Sequence, residues 1–247
     1  MGPTLSSFVL YVIPPFHRRR RRLSPPRNFV FTEKKEVDKY YPQYYHKMDR
    51  VRPPPLFHHL ACSPTIHPLQ DGRPVYIQRL GKIDVNALNA VTSQDRQLRR
   101  FVLEYEKFLT ERLPACSKAV GHPVETSCTI MDLAGVSITS FYRVKDYVFQ
   151  AAGIGQDRYP ECMGKFYIIN APWAFSTVWS IIKPWLDEVT VAKIDIVSSG
   201  MVKEKLLAQI PAENLPVEFG GTCQCVGGCS LSDAGPWNPQ TEPNGVA

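Results

Sequence analysis

Between Val75 and Gln209, short apolar runs alternate with longer stretches of helical periodicity, and this alternation constrains the fold more than any other feature. Val75 to Leu80 predicts a strand. Asp95 to Arg112 predicts a helix, with Leu98, Val102, Tyr105 and Leu109 on one stripe. Glu125 to Leu133 predicts a strand, Thr139 to Ala152 a helix and Lys165 to Asn170 a strand. Ala174 to Leu186 reads as a strongly apolar helix, Val191 to Ser198 as a strand, and Val202 to Gln209 as a helix that Pro211 stops. Parallel strands need crossovers of about helix length, so the expected fold is α/β, a mostly parallel sheet flanked by helices.

Upstream of this alternation the texture differs. Asp71-Gly72-Arg73-Pro74 is a turn signal, and Val51 to Gln70 is rich in Pro and His without apolar periodicity, so it predicts a long irregular loop. Glu33 to Lys39 reads as a short charged helix leading into Tyr40 and the aromatic run that follows. Residues 1–30 mix Pro, Ser and Arg and are expected to be disordered, and residues 240–247 to form a flexible tail, leaving one folded body over 31–239.

Charge narrows the function classes. The six arginines of residues 1–30, Arg18 to Arg22 and Arg27, account for the whole formal net charge of +6, so the folded body is neutral. A nucleic-acid-binding domain carries its basic excess on the body, which argues against that class. The arginine run can attract anionic headgroups or simply be a solvated tail. Seven cysteines, an odd number with four of them scattered far apart, predict a reduced cytoplasmic chain. Phe8 to Ile13 is too short to span a bilayer, and its basic cluster follows rather than precedes it, the reverse of a signal peptide. Any membrane contact is therefore expected to be peripheral.

Motifs for catalysis are missing: no G-x-S-x-G, P-loop, G-x-G-x-x-G after a strand or H-E-x-x-H occurs, and no catalytic residue is assigned. His58, His59 and His67 fall in the irregular loop. Cys223, Cys225 and Cys229 could ligate a metal or pair, but three cysteines without a fourth partner read first as inert thiols, so no metal or other cofactor is expected.

Two features fit a binding site. In the strand Ser127 to Asp132, alternation puts Ser127, Thr129 and Met131 on one face. Adjacent hydroxyls can donate to a phosphate, with Tyr105 nearby, or can be satisfied core hydroxyls. In the segment 173–186, Phe175, Val178, Trp179, Ile182 and Leu186 form one apolar stripe, and Ile181 and Trp185 a second. A surface helix needs only one stripe, so this helix is deeply buried or meets something greasy on its outer side. Pro184 would kink or end it, which suits a movable lid.

The strings YYPQYYHK, DGRPVYI, VETSCTIMDL, YPECMGKFYIINAP, STVWSIIKPWLD, IPAENLPVEFGG and LSDAGPW closely resemble the CRAL-TRIO lipid-binding family, in particular the fungal phosphatidylinositol/phosphatidylcholine transfer proteins of the secretory pathway. The resemblance covers residues 31–49 and 71–239 in order. It implies an α/β domain with an apolar pocket floored by the sheet and closed by a gating helix. It also implies exchange of phosphatidylinositol and phosphatidylcholine between membranes without hydrolysis, by a monomer that touches Golgi or endosomal membranes transiently. Carried over by position, Ser127 and Thr129 would hold the phosphatidylcholine phosphate, and Tyr45, Tyr76 and Tyr105 would surround the choline. Glu161, Thr190 and Lys193 would contact the phosphatidylinositol headgroup, and Phe175, Val178, Trp179, Ile182 and Trp185 would belong to the gating helix.

The departures carry expectations too. Nothing in residues 1–30 resembles the family's N-terminal helical lobe, so an inositol-contacting arginine of that lobe has no counterpart. Val51 to Gln70 interrupts a junction that the family keeps continuous, and its coding length of about sixty nucleotides suits a retained intron. Cys162 replaces a basic residue beside Glu161. Asp195 falls inside a predicted apolar strand, where an unpaired carboxylate is costly. Competing readings are a non-transferring sensor that presents phosphatidylinositol to a kinase, and a truncated product without function.

Overall fold

The computed structural model describes residues 32, 34–51, 72–136, 150–151, 154–155, 158–159, 161–173, 175, 179 and 188–238. Five strands form one sheet in the order β1 (Gln43–Met48), β2 (Pro74–Arg79), β3 (Ser127–Asp132), β4 (Met163–Ile169) and β5 (Ile194–Val197). β1 runs antiparallel to β2, and every later pair is parallel. The predicted mostly parallel sheet is therefore present, with an antiparallel edge strand that periodicity did not reveal.

The β2 to β3 crossover is mostly helical. Asp84 caps α2 (Val85–Val91), its carboxylate accepting from the N–H groups of Asn86 and Ala87. Ser93 caps α3 (Gln94–Lys107) through the N–H of Arg96. A π turn over Phe108–Arg112 joins α3 to α4 (Leu113–Val120), so the predicted helix Asp95–Arg112 is one limb of a longer one. The π turn adds a residue to one turn and rotates the buried stripe. Phe108, Leu113 and Cys116 are buried, whereas Leu109, expected on the stripe, is exposed. Ahead of β1, α1 (Lys34–Tyr40) is tied to α3 by an ion pair between the buried Asp38 and Arg100.

The C-terminal part of the sheet corrects two expectations. The segment Glu188–Lys193 is helical (α5), so the strand predicted from Val191 begins only at Ile194. Asp195 lies on the outermost strand with its side chain 43% exposed, and Lys205 on α6 (Val202–Gln209) pairs with it at 3.3 Å. The expected cost of a buried, unpaired carboxylate is not incurred. Most of the predicted helices Thr139–Ala152 and Ala174–Leu186 lies outside the described residues, as do residues 1–30 and most of the loop.

The two faces of the sheet are built differently. Tyr44, Val75, Ile77, Cys128, Ile130, Tyr167, Ile169 and Val197 point to one face and pack under Leu206, Ile210, Leu215 and Phe219. Ile77, Ile130 and Ile169 are fully buried there. Truncating one such side chain to Ala costs about 2–5 kcal/mol, so this side holds the fold. The opposite face carries Tyr45, Tyr76, Thr129, Phe166 and Ile194 in one register row. Met131, Phe166, Ile194 and Ile196 on that face remain partly exposed despite being apolar.

Candidate functional site

The open face collects the hydroxyl and aromatic residues singled out above. Ser127 Oγ stands 3.4 Å from the Thr129 hydroxyl and donates to the Cys162 carbonyl at 3.3 Å. That carbonyl also accepts the Ser127 N–H at 2.9 Å. Thr129 is opposite Tyr76 on β2, whose hydroxyl donates to Gln43 at 2.9 Å and accepts from Gln78 at 3.2 Å. Tyr76, Tyr105 and Cys162 pack against the cluster of Tyr45, Phe108, Leu113, Cys116 and Val124. The five residues carried over for phosphatidylcholine therefore lie on one continuous patch, at the edge of the apolar floor formed by Met131, Phe166, Ile194 and Ile196.

Within this patch the three tyrosines differ. Tyr105 stacks on Tyr159 with ring centroids 4.4 Å apart, and burial pushes its phenol up to about 12, so it stays a neutral donor. Tyr76 is partly exposed. Tyr45 is buried, stacked on Phe108 at 5.7 Å and tilted against Tyr76 at 4.6 Å, and the Arg112 guanidinium lies 4.3 Å from its ring centroid. A protein cation thus already occupies a face of Tyr45. Sequence reading missed Arg112, because nothing in a single chain marks which arginine lies over which ring.

Glu161, Thr190 and Lys193 sit at one end of the sheet. Glu161 stands two residues before β4 in a left-handed backbone conformation, with φ +65°, and is exposed. Thr190 and Lys193 lie on α5, which leads directly into β5. Gly164, at the start of β4, has Thr126 Oγ1 only 2.4 Å from where a Cβ would be, so a larger residue would have to push the Thr126 and Arg73 side chains aside. In the candidate gating segment Trp173, Phe175 and Trp179 are helical, and Trp173 is 88% exposed. Val178, Ile182 and Trp185 lie outside the described residues. No helix among the described residues is long and apolar enough to cross a membrane.

A cleft of about 390 Å³, open space at its mouth included, lies against β1 and is lined by Gln43, Tyr45, Tyr76, Arg100, Glu104 and Arg112 among others. Its enclosed space is only about 30 Å³, so it is no store for hydrocarbon. The apolar floor is the surface suited to that.

The CRAL/TRIO domain profile matches residues 66–221. The chain belongs to the CRAL/TRIO family. The match includes Tyr76, Tyr105, Ser127, Thr129, Glu161, Thr190 and Lys193, and leaves Tyr45 upstream of it. The SEC14 cytosolic factor of Schizosaccharomyces pombe is 51% identical over 214 residues, 87% of this chain and 68% of that protein. The SEC14 cytosolic factor of Yarrowia lipolytica is 51% identical over 222 residues, and there the chain spans only 41% of the relative's length. The phosphatidylinositol/phosphatidylcholine transfer protein SFH4 of Arabidopsis thaliana is 40% identical over 213 residues, 85% of this chain and 32% of that protein. Identity of this order over most of the chain makes the CRAL/TRIO assignment independent of the short strings quoted above.

Proposed function

We propose that this CRAL/TRIO protein binds one phospholipid at a time, phosphatidylinositol or phosphatidylcholine, and exchanges it between membranes without hydrolysing it. The observation that carries the reading is the asymmetry of the sheet. One face is sealed by α6 and the segment after it, while the other leaves apolar side chains partly uncovered beside a cluster of hydroxyls and aromatic rings. That is the layout a two-chain amphiphile needs, with hydrocarbon on Met131, Phe166, Ile194 and Ile196 and the phosphate at Ser127 and Thr129. The cation of choline suits the ring of Tyr76, with Tyr105 beside it as a neutral hydroxyl donor. Tyr45 backs this site, its face held by Arg112. Glu161, Thr190 and Lys193 form the polar end for an inositol phosphate.

Energetics favour exchange over extraction. Moving a methylene from lipid to water costs about 0.8 kcal/mol, so the roughly thirty methylenes of two acyl chains would cost on the order of 20 kcal/mol. A carrier that trades one lipid for another while docked avoids that cost, and opening of the site becomes the slow step. The segment 173–186, whose Trp173 exposes its indole, is the part assigned to that opening. The protein works in the cytosol with transient contact at Golgi or endosomal membranes.

Mass spectrometry of lipids co-purifying with the full chain tests this. Phosphatidylinositol and phosphatidylcholine at a combined one molecule per chain are expected. A lipid-free protein that takes up neither from vesicles would overturn the proposal.

A further inference from the structure

Three cysteines near the C-terminus lacked a fourth partner in the sequence, and the fold supplies one 177 residues away. His46, on β1, brings its ring to Cys223, Cys225 and Cys229, and the four ligand atoms all lie within 4.8 Å of one another. His46 Nε2 is 3.4 Å from Cys223 Sγ, and Cys223 Sγ is 3.8 Å from Cys225 Sγ. A tetrahedral zinc with Zn–S near 2.3 Å and Zn–N near 2.0–2.1 Å has S···S edges of about 3.8 Å and N···S edges of about 3.5 Å. The two observed separations match those edges. We infer that His46, Cys223, Cys225 and Cys229 form a closed structural site for one zinc ion.

The surroundings fix the ligands as such a site requires. Ser232 Oγ donates its one hydrogen to the Cys229 carbonyl at 3.0 Å, so towards His46 Nδ1, 3.4 Å away, it offers a lone pair. His46 is fully buried, and a proton on Nδ1, facing that lone pair, leaves Nε2 to turn its own lone pair to the sulfurs. A ligating histidine held at its other nitrogen by an acceptor is the usual arrangement of zinc centres. Gly227 and Gly228, with φ +78° and +95°, turn the chain between Cys225 and Cys229 through conformations that other residues resist. A Cys₃His set of soft thiolates and imidazole selects zinc over magnesium or calcium.

The site would clamp the 222–238 segment onto β1, where the Lys47 N–H already donates to the Ala234 carbonyl at 2.6 Å. It lies beside Tyr44, whose ring centroid is 6.3 Å from that of His46, so it braces the strand that backs the headgroup patch and takes no part in lipid chemistry. Its test is independent of lipid transfer.

The experiment measures zinc in the purified full chain by elemental mass spectrometry after dialysis, then exchanges the metal for cobalt. One zinc per chain is expected, with the thiolate charge-transfer and visible d–d bands of a tetrahedral cobalt centre. Cys225→Ser, at a partly exposed position, and His46→Ala are each expected to weaken metal binding more than about 100-fold, with lower thermal stability. If His46→Ala does not fold, Cys225→Ser and the cobalt spectrum of the unaltered chain still decide. Three freely titrating thiols without metal, a Cys223–Cys225 disulfide, or zinc retained undiminished by Cys225→Ser would each overturn the inference.

Discussion

The carboxylate of Asp49 accepts the backbone N–H of Gly72 at 2.7 Å, drawing together the two ends of the segment that separates β1 from β2. The same oxygen accepts the Arg73 N–H at 2.7 Å, the Asp49 N–H donates to the Arg73 carbonyl at 2.8 Å, and Met48 pairs with Pro74. The antiparallel ladder thus closes at the base of the segment.

Removal of residues 51–70 should therefore leave β1 and β2 paired. Closing a loop of two residues instead of about twenty costs the unfolded chain less entropy by about 2 kcal/mol, so the shortened protein is expected to be more stable by about that amount. Equilibrium urea unfolding measures it. A loss of stability would show that the segment contributes to the fold.

Asp49 is also the least replaceable charge among the described residues. Its second oxygen accepts from Arg73 at 3.0 Å and from Gln209 at 2.7 Å, so α6 hangs on it too. Asp49→Ala removes the carboxylate that faces the buried Arg73 guanidinium and should cost about 3–5 kcal/mol. Asp49→Asn should be destabilising as well, because its amide N–H₂ would face donors on Arg73 and Gln209. Unfolding curves of both variants check this, and a neutral Asp49→Asn would contradict the hydrogen-bond assignment.

Ser127→Ala with Thr129→Val removes the two hydroxyls with little change in volume. Each hydrogen bond to a charged phosphate is worth roughly 1.5–3 kcal/mol, so phosphatidylcholine transfer between vesicles should fall at least about tenfold. Phosphatidylinositol transfer, assigned to Glu161, Thr190 and Lys193, should fall less. Equal loss of both would merge the two headgroup sites into one.

Cys162 reports on the same patch through pH. Burial, and then the charge of Glu161, hold its thiol up to about 11 against an ordinary value near 9. The thiolate reacts, so alkylation by iodoacetamide below pH 9 should be about 100-fold slower than at an ordinary thiol. The handicap should vanish as pH rises through 11. Peptide mapping follows it site by site, and fast labelling at pH 8 would place Cys162 in a far more open setting.

Periodicity made the central strands and α6 legible because each has a single buried stripe or run bounded by Gly or Pro. It missed β1, where Tyr44, Tyr45 and His46 are buried consecutively and no alternation shows. It read Val191 as strand because Val and Thr favour strands intrinsically, while packing makes that segment helical. Leu109 was misplaced by the π turn, which no period of 3.6 anticipates. Among the proposed site residues, the resemblance points to Ser127 and Thr129, which local spacing also pairs. The Arg112 over Tyr45 and the His46 beside Cys223 were invisible, since both depend on long-range contacts.

A sheet sealed on one side and only partly covered on the other separates the task of staying folded from the proposed task of holding lipid. On that proposal, substitutions at Met131, Phe166 or Ile194 would reshape the surface offered to acyl chains while Ile77, Ile130 and Ile169 on the reverse side keep the domain standing.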